Sequence, residues 1–155
     1  MSVSLVQLLS EMRTDTQVSV SSKKRLFEII SDRVHADFLD LSSRAVFSRL
    51  LAREKMGSTG LGRGIAIPHC RVETVNKIIG VMLTLDNPID FEAPDNQPVD
   101  IVFALLVPED EQQAHLNALA KLASLFNETE FCSAVRNAKS KEDLRLILLE
   151  WEQKS

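Results

Sequence analysis

The sequence predicts a single domain, α/β or α+β in class, with a sheet at its middle and helices before and after. Three observations carry this. Asp100–Val107, DIVFALLV, is a nearly continuous apolar run, the pattern of a strand covered on both faces. Apolar residues recur with helical spacing on either side of it, at Leu26, Phe27, Ile30 and Val34 before, and at Leu116, Leu119, Leu122, Ala123 and Phe126 after. Ile65-Ala66-Ile67 is a short apolar run bounded by Gly64 and Pro68, which reads as a buried strand. No repeat, low-complexity tract or linker divides the chain, so one domain is expected over residues 1–155.

Taken in order, Leu5, Val6, Leu8 and Leu9 form either a short strand or a helical turn, and Arg13–Val18 reads as a polar loop. Ser21 or Ser22 can cap the first helix. A second helix begins after Ser42 or Ser43, passes Val46, Phe47, Leu50 and Leu51, and ends near Lys55. Four of the five glycines then fall between Gly57 and Gly64, a backbone able to turn sharply and present its N–H groups. Pro68 has no N–H for a ladder, so the Ile65–Ile67 strand should end there. A second strand is expected over Lys77–Asp86, a turn at Asn87-Pro88, and a loop over Ile89–Pro98. After strand 100–107 and its helix, Asn127 with Glu130 and Ser140 with Asp143 match capping patterns that open helices at about 128–137 and 141–153.

Composition narrows the function classes. The chain is 45% hydrophobic and 26% charged with a formal net charge of −4, and it has no Tyr and one Trp. A nucleic-acid binder needs a basic face and stacking aromatics, which are missing. No apolar stretch is long enough to span a bilayer, the N-terminus lacks a signal-peptide pattern, and the two cysteines, Cys70 and Cys132, make no disulfide framework. The reading is a cytoplasmic protein without direct membrane insertion.

Chemistry points to His69, an imidazole at a strand exit, on the side where α/β folds bind ligands. A neutral imidazole is available near neutral pH, and we read His69 as a nucleophile that accepts a phosphoryl group. Donors for the incoming charge are at hand. Arg53 can supply a bidentate fork, Ser58 and Thr59 hydroxyls, and the Gly57–Gly64 loop its N–H groups. His115, in the first turn of the helix after strand 100–107, either packs against nearby backbone or shares a strand-end pocket with His69. Arg53 is equally readable as a solvated residue at a helix end, and His35 as a surface residue at a helix C-terminus. GSTGLGRG has no following Lys-Ser/Thr and leads into a strand, so it is no nucleotide fingerprint. His69, Cys70 and His115 lack zinc-ligand spacing. Cys70 as a thiol nucleophile with His115 as base is the weaker alternative to a small residue fitting a tight turn.

The run from Glu54 through Cys70, E-x6-LG-x2-IAIPHC, resembles the active-site signature of the fructose/mannitol class (type 2) of IIA proteins of the bacterial phosphoenolpyruvate-dependent phosphotransferase system. The likeness extends over almost the entire chain. Arg53 falls where the family's active-site arginine stands, and His115 falls in the HL-x2-L helix that carries its second active-site histidine. Cys70 replaces the glycine common after the phosphorylated histidine, and Arg63 occupies a variable loop position to which no role is carried.

The resemblance implies a mixed sheet flanked by helices on both sides. It further implies a phosphocarrier whose His69 is phosphorylated on Nε2 by a phosphohistidine carrier of the HPr type. No metal, nucleotide or other cofactor is needed, because the donor arrives already activated. REKMGSTGLGRGIAIPHCR together with SSKKRLFEIIS looks most like the nitrogen-regulatory branch. There the phosphorylation state is the output, read by partners such as potassium transporters or sensor kinases. Two rivals stand beside it: a sugar-specific IIA passing phosphate to a separate IIB protein, and an interaction module with a vestigial His69.

Overall fold

The computed structural model describes residues 4–154. The N-terminal alternatives resolve as a 3-10 turn over Val6–Leu8, followed by another over Glu11–Arg13. Next come strand β1 (Thr14–Val18), helix α1 (Lys23–Asp37) and helix α2 (Ser43–Lys55). Three short strands, β2 (Gly60–Gly62), β3 (Ile65–Ala66) and β4 (His69–Val72), precede the long pair β5 (Ile79–Ile89) and β6 (Val99–Pro108). Helices α3 (Gln113–Phe126), α4 (Thr129–Asn137) and α5 (Lys141–Lys154) follow. Ser22, Ser42 and Ser140 each accept the backbone N–H three residues on, the capping bonds that start α1, α2 and α5. Asn127 makes no such bond: α4 starts from Glu128 without a side-chain cap.

The strands form one mixed six-stranded sheet, ordered β1-β5-β6-β3-β2, with β4 also on β6. The antiparallel β5–β6 pair is its centre, and its side chains alternate between two layers. Val81, Leu83, Val102, Ala104 and Leu106 face α1 and α2, whereas Met82, Ile101, Phe103, Leu105 and Val107 face α3, α4 and α5. Burying each such Leu or Phe contributes about 1.5–3 kcal/mol. That sandwich holds the polar strands at the margin.

The structure corrects four of the expectations. Thr14–Val18 is an edge strand, parallel to β5, rather than part of a loop. Only one side needs ladder partners there, so alternating β-branched Thr14, Thr16 and Val18 suffice without an apolar run. Asn87-Pro88 lies inside the irregular end of β5, not in a turn. In α3 the buried face is His115, Ala118, Leu122, Leu125 and Phe126, while Leu116 is 60% exposed. The apolar stripe thus begins at a histidine, a step that an inventory of leucines does not reveal.

The fourth correction concerns the chain at Pro68. β3 does end before Pro68, at Ala66, but His69 is not at a strand exit: it opens β4 in the same ladder. Ile65 pairs with Ile101 and Ala66 with Val102; beyond the break, His69 pairs with Leu105 and Cys70 with Leu106. The offset is the same on both sides, and the Pro68 carbonyl still accepts the Leu105 N–H at 2.9 Å. β3 and β4 are therefore one strand interrupted at Ile67-Pro68, and His69 opens its second half.

Two polar clamps fix the margins. The buried Arg13 donates from Nε to Asp37 at 2.9 Å, and from Nη1 to the carbonyls of Leu8 at 2.7 Å and Gly80 at 2.6 Å, so its charge is paired and hydrogen-bonded as burial demands. Glu152 of α5 accepts the N–H groups of Leu5 at 2.8 Å and Val6 at 2.9 Å, and pairs with Lys121.

Candidate functional site

Among the described residues β4 pairs only with β6, and no strand lies beyond it. A cavity of about 310 Å³ lies along that edge, bounded by Arg49, Ala52, Arg53 and Met56 at the end of α2, by His69, Cys70 and Arg71 of β4, and by His115 of α3. It is thus walled by both helical layers and by the strand between them. Arg49 and Arg53 share a helix face at i, i+4. His69 and Arg71 share a strand face at i, i+2.

The His69 ring is held by its own chain. Its Nδ1 is 2.8 Å from the Ile67 carbonyl oxygen. A carbonyl only accepts, so Nδ1 carries the proton and the neutral ring keeps its lone pair on Nε2. Burial pushes the His69 pKa below its ordinary value near 6.5, and the Arg53 charge acts in the same direction. The Ile67 bond and Glu54 oppose them without reversing the shift. At neutral pH the ring is uncharged.

His115 stands against it, ring centroids 5.4 Å apart at an interplanar angle of 62°. Its pKa is likewise lowered, by burial first, then by His69 and Arg71. The His115 Nε2 is buried without a hydrogen-bond partner, a condition that costs about 1–3 kcal/mol for an ordinary polar group.

Three guanidinium groups complete the wall. Arg53 donates from Nη1 to the Gly57 carbonyl at 2.9 Å, just past the end of α2. Arg71 donates to the carbonyls of Pro108 at 3.2 Å and Glu109 at 2.8 Å, where β6 ends. Arg49 pairs with Glu73 at 3.2 Å. Sequence reasoning passes over Arg71 and Arg49, although each has a signal: one lies two residues past His69 on a strand, the other four before Arg53 on a helix.

Of the residues expected at the site, the structure brings together His69, Arg53 and His115. It gives Ser58 and Thr59 other partners. Ser58 Oγ donates to the Phe91 carbonyl at 3.2 Å and accepts the Gly60 N–H at 3.1 Å. Thr59 Oγ1 donates to Glu54 at 2.6 Å. The loop N–H groups are engaged as well: Thr59 bonds the Glu54 carboxylate at 2.8 Å, and Arg63 bonds Asp95 at 2.8 Å. The glycines serve a hairpin. Gly62 and Gly64 turn the chain from β2 to β3 with φ of 91° and 85°. A Cβ on Gly64 would meet Arg136 at 2.6 Å. His35, half-buried, donates to the Leu41 carbonyl at 2.7 Å and closes the loop after α1. The Cys70 thiol, buried beside His69, is pushed up to about 12 by burial and is inert as a nucleophile.

A neutral imidazole with a free Nε2, facing a cavity walled by three cations and a second imidazole, is a constellation able to receive an anion. Residues 7–151 match the model of the phosphoenolpyruvate-dependent sugar phosphotransferase system, EIIA 2, and the chain belongs to this family of phosphotransfer components. Its similarity within the family is to the nitrogen regulatory proteins. That of Klebsiella oxytoca is 47% identical over 147 residues, covering 94% of this chain and 90% of the relative. The crystal structure of the nitrogen regulatory protein IIA-Ntr of Neisseria meningitidis superposes with a TM-score of 0.85 at 39% identity, covering 93% of this chain and 98% of that one. The mannitol IIA of Escherichia coli shares the fold, with a TM-score of 0.70 at 19% identity over 85% of this chain and 92% of its own.

Proposed function

We propose that the chain is the phosphohistidine carrier of a nitrogen-regulatory phosphotransferase system, with His69 Nε2 as the acceptor atom. The observation that carries this reading is the bond from His69 Nδ1 to the Ile67 carbonyl. It leaves the other nitrogen as the nucleophile of a ring that lines a cation-walled cavity. The donor is an HPr-type protein in the cytoplasm bearing a phosphorylated imidazole.

In the transfer the Nε2 lone pair attacks phosphorus, the donor P–N bond breaks, and its electron pair returns to the donor nitrogen. The donor ring, protonated on its other nitrogen, leaves as neutral imidazole. His69 becomes a phosphoimidazolium whose Nδ1–H stays on Ile67. Arg53, with Arg71 and Arg49 behind it, faces the phosphoryl oxygens as their charge spreads in the transition state. A proton on the unpartnered His115 Nε2 would find its acceptor on the same group. No cofactor enters, because the phosphoryl group arrives activated.

The output is the phosphorylation state. Two negative charges added at this cavity alter which proteins can approach it, and membrane transporters or sensor kinases are the partners this reading implies. The test is incubation with phosphoenolpyruvate and the upstream carriers. Acid-labile label is expected on the wild type and absent from His69→Ala, whereas label persisting in that variant overturns the assignment. Rapid onward transfer to a purified IIB protein would instead make it a sugar-specific component.

A further inference from the structure

β2 and β3 are antiparallel, with Gly60 opposite Ala66. Extending that register by one residue sets Thr59 opposite Ile67. In an antiparallel ladder such a pair exchanges two bonds, each N–H going to the other's carbonyl. Here one is made and the other is not. The Ile67 N–H donates to the Thr59 carbonyl at 3.0 Å. The Thr59 N–H goes to the carboxylate of Glu54, at 2.8 Å from Oε2 and 3.2 Å from Oε1, and the Thr59 hydroxyl adds a bond to Oε1 at 2.6 Å. The Ile67 carbonyl, left without its ladder donor, takes the Nδ1–H of His69 at 2.8 Å.

We infer that Glu54 is a positioning residue that sets the His69 tautomer by withdrawing the Thr59 amide from the ladder. The inference rests on the reading of His69 as the acceptor and deepens it. Glu54 is itself held in place. It is 8% exposed, lies on the last turns of α2 next to Arg53, and is tied through Oε2 to Lys23 Nζ at 3.2 Å. Its carboxylate offers the Thr59 N–H a charged acceptor, which outcompetes a neutral carbonyl. One side chain thus clamps the loop and leaves the Ile67 carbonyl to the imidazole. Without it, the Thr59 N–H can close on Ile67 and compete with His69 Nδ1–H for the same oxygen.

Nitrogen-15 spectra of the histidine rings at about pH 8, where the imidazoles are neutral, read this directly. The wild type is expected to show His69 protonated on Nδ1, with hydrogen-bond coupling from the Thr59 amide to the Glu54 carboxylate and none to the Ile67 carbonyl. Glu54→Ala should shift His69 toward the Nε2-protonated form and slow phosphoryl acceptance by about tenfold, in the range of lost general positioning effects. Glu54→Gln keeps an acceptor without the charge and should fall between the wild type and Glu54→Ala in both the tautomer and the rate. Arg25→Met, on the exposed face of α1 away from Glu54, should leave both unchanged. A folded Glu54→Ala with an unaltered His69 tautomer overturns the inference, as does coupling between Thr59 and Ile67 in the wild type, which needs no variant. Failure of the wild type to accept phosphate would instead overturn the functional reading while leaving the tautomer result standing.

Discussion

His69 and His115 face one another edge to face, 5.4 Å between ring centroids, one delivered by a strand and the other by a helix of the opposite layer. Burial holds both pKa values below the ordinary value near 6.5, and at His115 the His69 charge lowers it further. The pair is therefore neutral at pH 7. Lowering the pH through the depressed values should protonate the rings, remove the Nε2 lone pair and slow phosphoryl acceptance. The same protons bind more readily to the unfolded chain, so stability also falls on acidification below about pH 6.5. NMR titration should give midpoints below 6.5 for both rings, and His69→Ala should raise that of His115.

Arg53 provides a fork, not only a charge. Arg53→Lys should retain binding of the donor protein but lower the rate of phosphoryl acceptance, and Arg53→Gln should lower it by about 10²-fold, the usual loss when one preorganised donor is removed. Rapid-quench measurement of label on His69 reads both, and a rate unchanged in Arg53→Gln would remove the residue from the site.

Arg71 is tied to the two carbonyls at the end of β6 and contributes to the depressed His115 pKa. Arg71→Met should raise the His115 titration midpoint and slow phosphorylation by a smaller factor than Arg53→Gln, about tenfold on the same scale. A midpoint that stays put would show that its charge is not felt at the ring.

The Cys70 thiol, pushed up to about 12, should resist alkylation at pH 8 until the chain unfolds. Cys70→Ala should accept phosphate at the wild-type rate. Loss of acceptance would revive a role for the thiol.

The Arg13–Asp37 pair governs a different part of the pH range. Hydrogen bonds from Ser10 and Arg13 hold the Asp37 carboxyl below its usual value. Its stabilisation is complete above the unfolded carboxylate pKa near 3.9 and is lost as pH falls through the lower folded value. Urea midpoints of the wild type should fall more steeply below about pH 4 than those of Asp37→Asn. Arg13→Met, which leaves the Leu8 and Gly80 carbonyls without their donor, should cost roughly 1–3 kcal/mol at pH 7.

Most of the architecture was legible because periodicity reports burial. β6 is covered on both faces and reads as an unbroken apolar run, and α1 and α2 announce their caps and stripes. β1 was not legible, since an edge strand with one ladder needs no alternating apolar face. His69, Arg53 and His115 were legible as types at plausible places, but their meeting depends on a sheet edge that pattern does not encode. Ser58 and Thr59 misled because a hydroxyl in a glycine-rich loop looks free until its acceptors, Phe91 and Glu54, are located in space. Glu54 opens the quoted signature, but its place there gave no physical role. A glutamate at the end of a helix is ordinarily solvated, and only the ladder that it interrupts sets this one apart.

The unchanged pairing across Ile67-Pro68 has a bearing on how the proposed phosphorylation would be sensed. With Ala66 and Cys70 both locked to β6, the peptide that presents the imidazole has little room to shift when a phosphate is added. The two states would nearly superpose atom for atom, and what differs between them is the local electric field. On the proposed function, a binding partner would read the potential over one small patch, and a mutation elsewhere that alters that potential would imitate or mask the signal without any change of shape.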